Sequence, residues 1–438
     1  MDTELSSKGY KVALKSLPPH FLENIRRELT VKPLENPNYP SGDRPFPVYR
    51  LSKTNVYLPR FYGFEKYLVA KRDCLPLGQV INLTFNGDLR EIQQRTIDAT
   101  LTAFSKYGGG IISLDTGLGK TVVALKLIEL MKVKTIIVVH AEFLLEQWVS
   151  RIKQFLPDAR IGIIRQERCE TENVDITVAM IQTVINREYA PGFFDSYGLQ
   201  CFDEAHHVAA KSFSSLFYKV QTKYMVGLSA TPERKDGLSK VLYWFLGPQI
   251  ITIKRETGKP SIRFIFNNTK DYTEEFNQAG RVNNPAMITN LTKQQGRNEL
   301  IVNTVKSLVA GRKTLILSDR REHCENIAAQ LVAAGITAGV YLGGMSTQDR
   351  EATTESQVIV GTYQASGEGF DVPLLDTLIL ATPKSDVEQA VGRILRQKNA
   401  NEPLVIDIVD EFSIFKGQYI KRHRFYKKCE YKIVEQKR

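Results

Sequence analysis

The chain has 438 residues, 42% of them hydrophobic, and no apolar run of the roughly 18 residues that a membrane-spanning helix needs. That length predicts two or three domains, and a net charge of +11 favours a polyanionic partner without specifying one. Five cysteines (Cys74, Cys169, Cys201, Cys324, Cys429) lie scattered with no CxxC pair, which suits a reducing compartment and gives no support for structural zinc. Asp2 and Glu4 open a segment without an apolar stretch, so no signal peptide is expected.

Residues 1–85 read as a small accessory domain. Leu17 to Leu29 predicts a short helix. Pro33, Pro37, Pro40, Pro45 and Pro47 then argue for loops and short strands. Pro47 to Leu51 and Asn55 to Pro59 alternate apolar and polar residues, as strands do.

Over residues 86–254 short apolar runs alternate with helical stretches. Strands are predicted at Ile111–Ser113, Thr135–His140, Ile161–Ile164, Ile176–Met180, Leu199–Phe202 and Tyr224–Ser229. Residues 255–296 are polar and read as a connector. A second series follows in residues 297–414, at Thr314–Ser318, Gly339–Leu342, Gln357–Thr362, Thr377–Ala381 and Leu404–Ile408. The expected fold class is α/β, two tandem parallel-sheet domains with helices on both faces. Residues 415–438 form a basic aromatic tail. Nine Lys/Arg against Glu430 and Glu435 give it 9 − 2 = +7 of the chain's +11. Arg422, Arg424, Lys427 and Lys428, interleaved with Tyr419, Phe425, Tyr426 and Tyr431, suit a nucleic-acid surface. The other reading is a terminal helix whose aromatics dock on the core and whose lysines are solvated.

The most specific signal is Leu114-Asp-Thr-Gly-Leu-Gly-Lys-Thr121, between the strand Gly110–Leu114 and a helix predicted over Val122–Met131. A strand, a glycine-rich turn and a helix opening on Lys-Thr make a phosphate-binding loop. Backbone N–H groups of Asp115, Thr116, Gly117, Leu118 and Gly119 can face the phosphates, and glycine permits the close approach. Lys120 brings positive charge, and the Thr121 hydroxyl can ligate Mg²⁺. Leu114 stands where a small residue is commoner, and packing against the sheet is its expected role. A second site follows the strand at Leu199–Phe202. Asp203 is placed to hold Mg²⁺, Glu204 to polarise an attacking water, and His206 to sit near the γ-phosphate.

With Ser229-Ala-Thr231 joining the two sites, the chain resembles a superfamily 2 helicase. Leu89-Arg-Glu-Ile-Gln93 looks like the adenine-recognising glutamine motif, which implies Arg90 and Gln93 as nucleotide contacts. Val138-Val-His140 with Leu145-Glu-Gln-Trp148 looks like motif Ia. Asp175 to Ala179 with Gln182-Thr183 looks like Ib. Thr314–Ser318 is similar to motif IV and Gly361–Asp371 to motif V. Gln389-Ala-Val-Gly-Arg-Ile-Leu-Arg396 is similar to motif VI. The resemblance covers roughly residues 85–410 and implies two RecA-like domains with Mg-ATP in the cleft between them. It further implies Arg393 and Arg396 as arginine fingers from the second domain, which a helix would place on one face. Ser229 and Thr231 would couple hydrolysis to motion. Gly369, Asp371 and Gln389 would lie at the nucleotide. His140, Gln182, Thr183, Gly343, Gly344 and Thr362 would touch the nucleic-acid backbone, although Gly343-Gly344 reads equally well as a plain turn.

Gly227-Leu-Ser-Ala-Thr-Pro-Glu-Arg-Lys-Asp-Gly237 with Leu246-Gly-Pro248 resembles the XPB-like branch. The ends of the chain are similar to DEAH-type helicases of large double-stranded DNA viruses, of the poxvirus and asfarvirus transcript-release type. The implied enzyme is a monomeric ATP-dependent nucleic-acid helicase or translocase. Its cofactors are ATP and Mg²⁺, and DNA is favoured over RNA. It would contact the transcription machinery and act in the host cytoplasm, a viral factory or the virion. The same motifs also fit an ATP-gated clamp that remodels a transcription complex without separating strands.

Overall fold

The computed structural model describes residues 2–33, 44–115, 117–204, 210–230, 237–254, 259–267, 272–278, 280–366, 370, 372, 374–395 and 401–434. Thr116, His206, Thr231, Gly369, Asp371 and Arg396 fall outside these residues. The chain forms two compact units, Met1–Arg255 and Glu256–Arg438.

Unit 1 is built on an eight-stranded sheet. Its order is Arg168–Cys169, Ile161–Arg165, Ile176–Met180, Thr135–Val139, Leu199–Asp203, Tyr224–Ser229, Gly109–Leu114 and Gln249–Ile253. All neighbours are parallel except the terminal pair Arg168–Cys169 with Ile161–Arg165, which is antiparallel. The predicted strands are present within two residues of their expected bounds, and the sheet gains Gln249–Ile253 at one edge. Central strands bury both faces, so alternate residues enter different cores. Ile136, Val138, Ile111 and Phe202 face one core, while Ile137, Val139, Ile112 and Cys201 face the other. Helices Glu91–Tyr107, Lys120–Met131 and Glu142–Phe155 cover the second face through Ile97, Val123 and Leu145.

The first face is covered in part by the N-terminal region. Strands Arg50–Leu51, Asn55–Leu58, Gly9–Ala13, Thr3–Ser6 and Arg72–Asp73 form a small sheet in that order. Tyr10, Val12, Phe61 and Tyr62 from this region join the same core as Ile136 and Phe202. Arg60 is only 3% exposed, and its guanidinium donates to the carbonyls of Lys223 (3.0 Å) and Tyr107 (3.1 Å). Tyr218 donates its hydroxyl proton to the Val48 carbonyl at 2.8 Å.

Unit 2 carries a seven-stranded sheet, parallel throughout. Its order is Ala338–Tyr341, Val358–Thr362, Thr314–Ser318, Thr377–Leu380, Leu404–Val409, Ser261–Phe266 and Lys432–Val434. Two strands here were not expected. Residues 255–296, read as a connector, supply Ser261–Phe266 and the helix Asn284–Thr292, whose N-terminus is capped by the Asn283 side chain. The tail supplies Lys432–Val434 and the helix Ser413–Lys428. Thus the sheet of unit 2 closes with strands from both ends of its own sequence.

A buried polar network ties this unit together. Arg297, fully buried, forms a two-pronged pair with Asp410 (3.0 and 2.8 Å) and donates to the Ala381 carbonyl at 2.7 Å. Beside it, His323 bridges the Ser318 hydroxyl and the Asn298 amide oxygen, both at 2.9 Å. Burial, then the Arg297 charge, pushes the His323 pKa down to about 3. The unfolded imidazole takes a proton near pH 6.5, and the native one does so only near 3. The stability held by this neutral imidazole is therefore complete above pH 6.5 and declines as pH falls toward 3. Between pH 6.5 and 5 the loss is roughly 2 kcal/mol. Denaturant titrations at pH 7 and 5 should show this extra loss in the wild type and not in His323→Gln. Equal losses in the two proteins would refute it.

Candidate functional site

The strand Gly109–Leu114 is buried throughout and ends on Leu114, which is fully buried, as expected for a residue that packs on the sheet. Helix Lys120–Met131 begins six residues later, with Gly119 at its N-cap in a left-handed conformation (φ +89°). Gly117 has φ +82°. A Cβ on Gly119 would lie 2.2 Å from Nε2 of Gln93, so any other residue would displace that amide as well as strain the backbone.

The loop is clamped from behind by the start of helix Glu91–Tyr107. The Arg90 N–H donates to Oε1 of Gln93 at 2.9 Å, Gln93 Nε2 donates to the Leu118 carbonyl at 3.3 Å, and Arg90 Nη2 donates to the Gly117 carbonyl at 3.3 Å. Gln93 is 3% exposed, and both ends of its amide are engaged. In this structure Arg90 and Gln93 fix the loop through its carbonyls.

Lys120 Nζ donates to the Leu114 carbonyl at 3.1 Å and lies 3.5 Å from Oε1 of Glu204. Parallel pairing explains the meeting. Asp203 pairs with Leu228, and Ser229 with Ser113, so the carboxyl ends of three adjacent strands come together. Ser229 is buried, and the neighbouring Ala230 carbonyl accepts from the Ser113 hydroxyl at 3.4 Å. Glu204 has φ +47°, an uncommon conformation for a non-glycine residue and one that tends to occur at functional sites.

Asp203 shows an interaction that sequence reasoning missed. Its Oδ2 accepts from the indole Nε1 of Trp148 at 2.8 Å, and Trp148 is 1% exposed in helix Glu142–Phe155. Burial first, and the nearby Glu204 charge second, raise the Asp203 pKa to about 6; the Trp148 hydrogen bond and the Lys120 charge act in the opposite direction. Trp148 lies inside the stretch that resembles motif Ia, but nothing in the sequence pairs it with a carboxylate 55 residues away.

The donors present suit Mg-ATP. Lys120 already holds anionic and carbonyl oxygens, the same class of partner as a phosphate. Asp203 and the half-buried Thr121 offer the hard oxygen atoms that Mg²⁺ prefers.

Other expected residues are distributed more widely. His140 and Gln182 meet at neighbouring strand ends, where Gln182 Nε2 donates to the His140 carbonyl at 3.1 Å. Gln182 is exposed, and the Thr183 hydroxyl accepts from the Gln166 N–H at 3.0 Å. In unit 2, Gly343 and Gly344 are exposed with open space around them, and Gly344 has φ +84°. The Gly343 carbonyl accepts from Arg321 at 3.1 Å, while the Thr362 hydroxyl accepts from the Ala365 N–H at 3.2 Å.

Two expectations need correction. Arg393, expected to project as a finger, is 4% exposed at the end of helix Glu388–Arg393. Its Nη1 donates to the Phe370 carbonyl at 2.6 Å, and Gln389 occupies the exposed side. Arg422, expected at nucleic acid, is 1% exposed and grips Asp407 with Nε and Nη2, both at 2.8 Å. The tail's aromatics also turn inward. Tyr419 packs edge-on against Phe264, and Phe425 against Tyr431.

Comparison with known proteins agrees with this geometry. Residues 86–234 match the family described as "Type III restriction enzyme, res subunit", and residues 296–398 match "Helicase conserved C-terminal domain". A protein of Acanthamoeba polyphaga mimivirus provisionally named ATP-dependent RNA helicase L396 is 31% identical, across 98% of this chain and 86% of that protein. African swine fever virus QP509L, provisionally named in the same way, is 27% identical across 99% and 93%. Invertebrate iridescent virus 6 helicase 161L is 27% identical across 95% and 97%. Among solved structures, Saccharomyces cerevisiae Dbp5 bound to RNA and ADP BeF3 matches with a TM-score of 0.54 at 14% identity, covering 78% of this chain and 89% of Dbp5. That match identifies the parallel-sheet units as RecA-like. The chain is an ATP-dependent enzyme and belongs to the superfamily 2 helicases.

Proposed function

We propose that the chain uses Mg-ATP hydrolysis to drive movement along nucleic acid, within viral transcription or DNA metabolism. The observation that carries this reading is the meeting of Lys120, Glu204 and Asp203 at adjoining strand ends. Lys120 binds and neutralises phosphate. Bound Mg²⁺ would screen charge on the transferring phosphoryl group, held by Asp203 and Thr121. Glu204 takes a proton from the attacking water once Lys120 exchanges its carboxylate for phosphate. The motif wording of the XPB-like branch favours DNA, whereas the names of the mimivirus and swine fever virus relatives favour RNA. ATPase assays with single-stranded DNA, duplex DNA and RNA decide between them. Stimulation by none of the three would overturn the reading.

Trp148 positions the Asp203 carboxylate, and Trp148→Phe keeps the packing while removing the donor. Hydrogen-bond partners of metal-ligating carboxylates are typically worth about 10–100-fold in metal affinity or activity. Titrating Mg²⁺ in the ATPase assay should show a shift of that size. An unchanged titration would reduce Trp148 to a packing residue.

A further inference from the structure

The helix Ser413–Lys428 contains six Lys/Arg and no carboxylate over its 16 residues. At about 100° per residue, Phe415, Arg422 and Tyr426 cluster on one side, and these are its buried residues. Lys416, Lys421, Arg424, Lys427 and Lys428 are all exposed and fall within about 140° of arc on the opposite side. Among the described residues none of these five has an ion-pair partner, whereas Glu430, just beyond the helix, pairs with Lys259. The helix therefore has one face that belongs to the core and one that carries uncompensated positive charge.

A solvated surface helix usually mixes both signs, so five cations without a carboxylate point to an anionic partner. The packing narrows its chemistry. Tyr419, Phe425 and Tyr426 all lie against other rings of unit 2, so the exposed face offers charge and no platform for stacking bases. A surface of this kind reads phosphates, whose contacts are independent of sequence. Bases need not be unstacked, and the densest regular array of phosphates is a double helix, with one charge per roughly 1.7 Å of axis. We propose that this face of the helix Ser413–Lys428 is a docking surface for the phosphate backbone of a double-helical nucleic acid. The proposal rests on the nucleic-acid reading above and adds to it a place and a strandedness.

The test replaces all five cations with glutamine (K416Q, K421Q, R424Q, K427Q, K428Q) and keeps Arg422, which belongs to the core. Binding to a DNA duplex and to a single strand of the same sequence is measured over a series of salt concentrations, with thermal melting as the control for folding. If all five phosphates are engaged, the log–log salt slope on duplex becomes shallower by about 4.5. Single-strand binding should change much less. An unchanged duplex slope in a variant that melts like the wild type overturns the docking surface. Equal losses on duplex and single strand overturn the assignment to a double helix. Wild-type protein that binds neither polymer and shows no stimulation of its ATPase defeats the underlying nucleic-acid reading instead.

Discussion

Lys120→Ala lowers ATP turnover on the order of 10²–10³-fold, the usual consequence of removing one preorganised charge from a transition state. The fold should survive. Among the described residues, the side chain lost makes one hydrogen bond, to the Leu114 carbonyl, and one 3.5 Å ion pair, to Glu204. A hydrogen bond of that kind contributes about 1 kcal/mol net. Steady-state hydrolysis and a thermal melt on the same preparation separate the two effects. Turnover near the wild-type level would remove Lys120 from the chemistry. A collapse of the melting transition would instead make it a structural residue. Lys120→Arg is also expected to fail, because a planar guanidinium does not reproduce a compact ammonium at the head of a helix.

Arg422→Ala should cost about 3–5 kcal/mol in unit 2, because it leaves Asp407 buried without its counter-charge. Asp407 is fully buried, and among the described residues it accepts, besides the two guanidinium bonds, only from the Tyr426 hydroxyl, at 3.1 Å. Burial opposes a charge on Arg422, yet the charge and hydrogen bonds of Asp407 outweigh it and hold the guanidinium protonated. The third arm, Nη1, donates to the Lys384 carbonyl at 2.6 Å, on the segment that leads into the helix of Gln389 and Arg393. For a unit of this size the melting temperature should fall by roughly 6–20 °C. Arg422→Met combined with Asp407→Leu should cost less than Arg422→Ala alone, since no charge is stranded. If the single and double replacements are equally destabilising, loss of packing is the cause.

Arg422 also marks where the sequence stopped being informative. A basic residue among basic residues gives no sign of being buried. Its partner Asp407 lies on a strand whose apolar neighbours, Ile406 and Ile408, announce a core position without announcing a guanidinium in it. The residues of the phosphate loop were legible because their chemistry depends on local spacing: strand, glycines, lysine and helix all fall within 25 residues. The Asp203-Glu204 site was legible for the same reason. Trp148 was not, because its role arises only when a helix from one crossover packs beside the strand end of another. The strand Ser261–Phe266 was missed because it stands among polar residues, away from the regular succession of strands and helices that marked the other elements. Arg393 sits in the expected motif, but its burial follows from the turn of a six-residue helix, which spacing alone could not orient.

The Arg60 guanidinium has a consequence for how this protein can be divided. It closes over the last turn of helix Glu91–Tyr107 and the approach to strand Tyr224–Ser229. The strand that carries the phosphate loop begins two residues after Tyr107. Residues 1–85 are therefore not a detachable module. Any exchange between relatives that joins one N-terminal region to another's nucleotide-binding sheet must carry Arg60 and its socket of Tyr107, Thr222 and Lys223 carbonyls together, or the join will fall in the middle of a core.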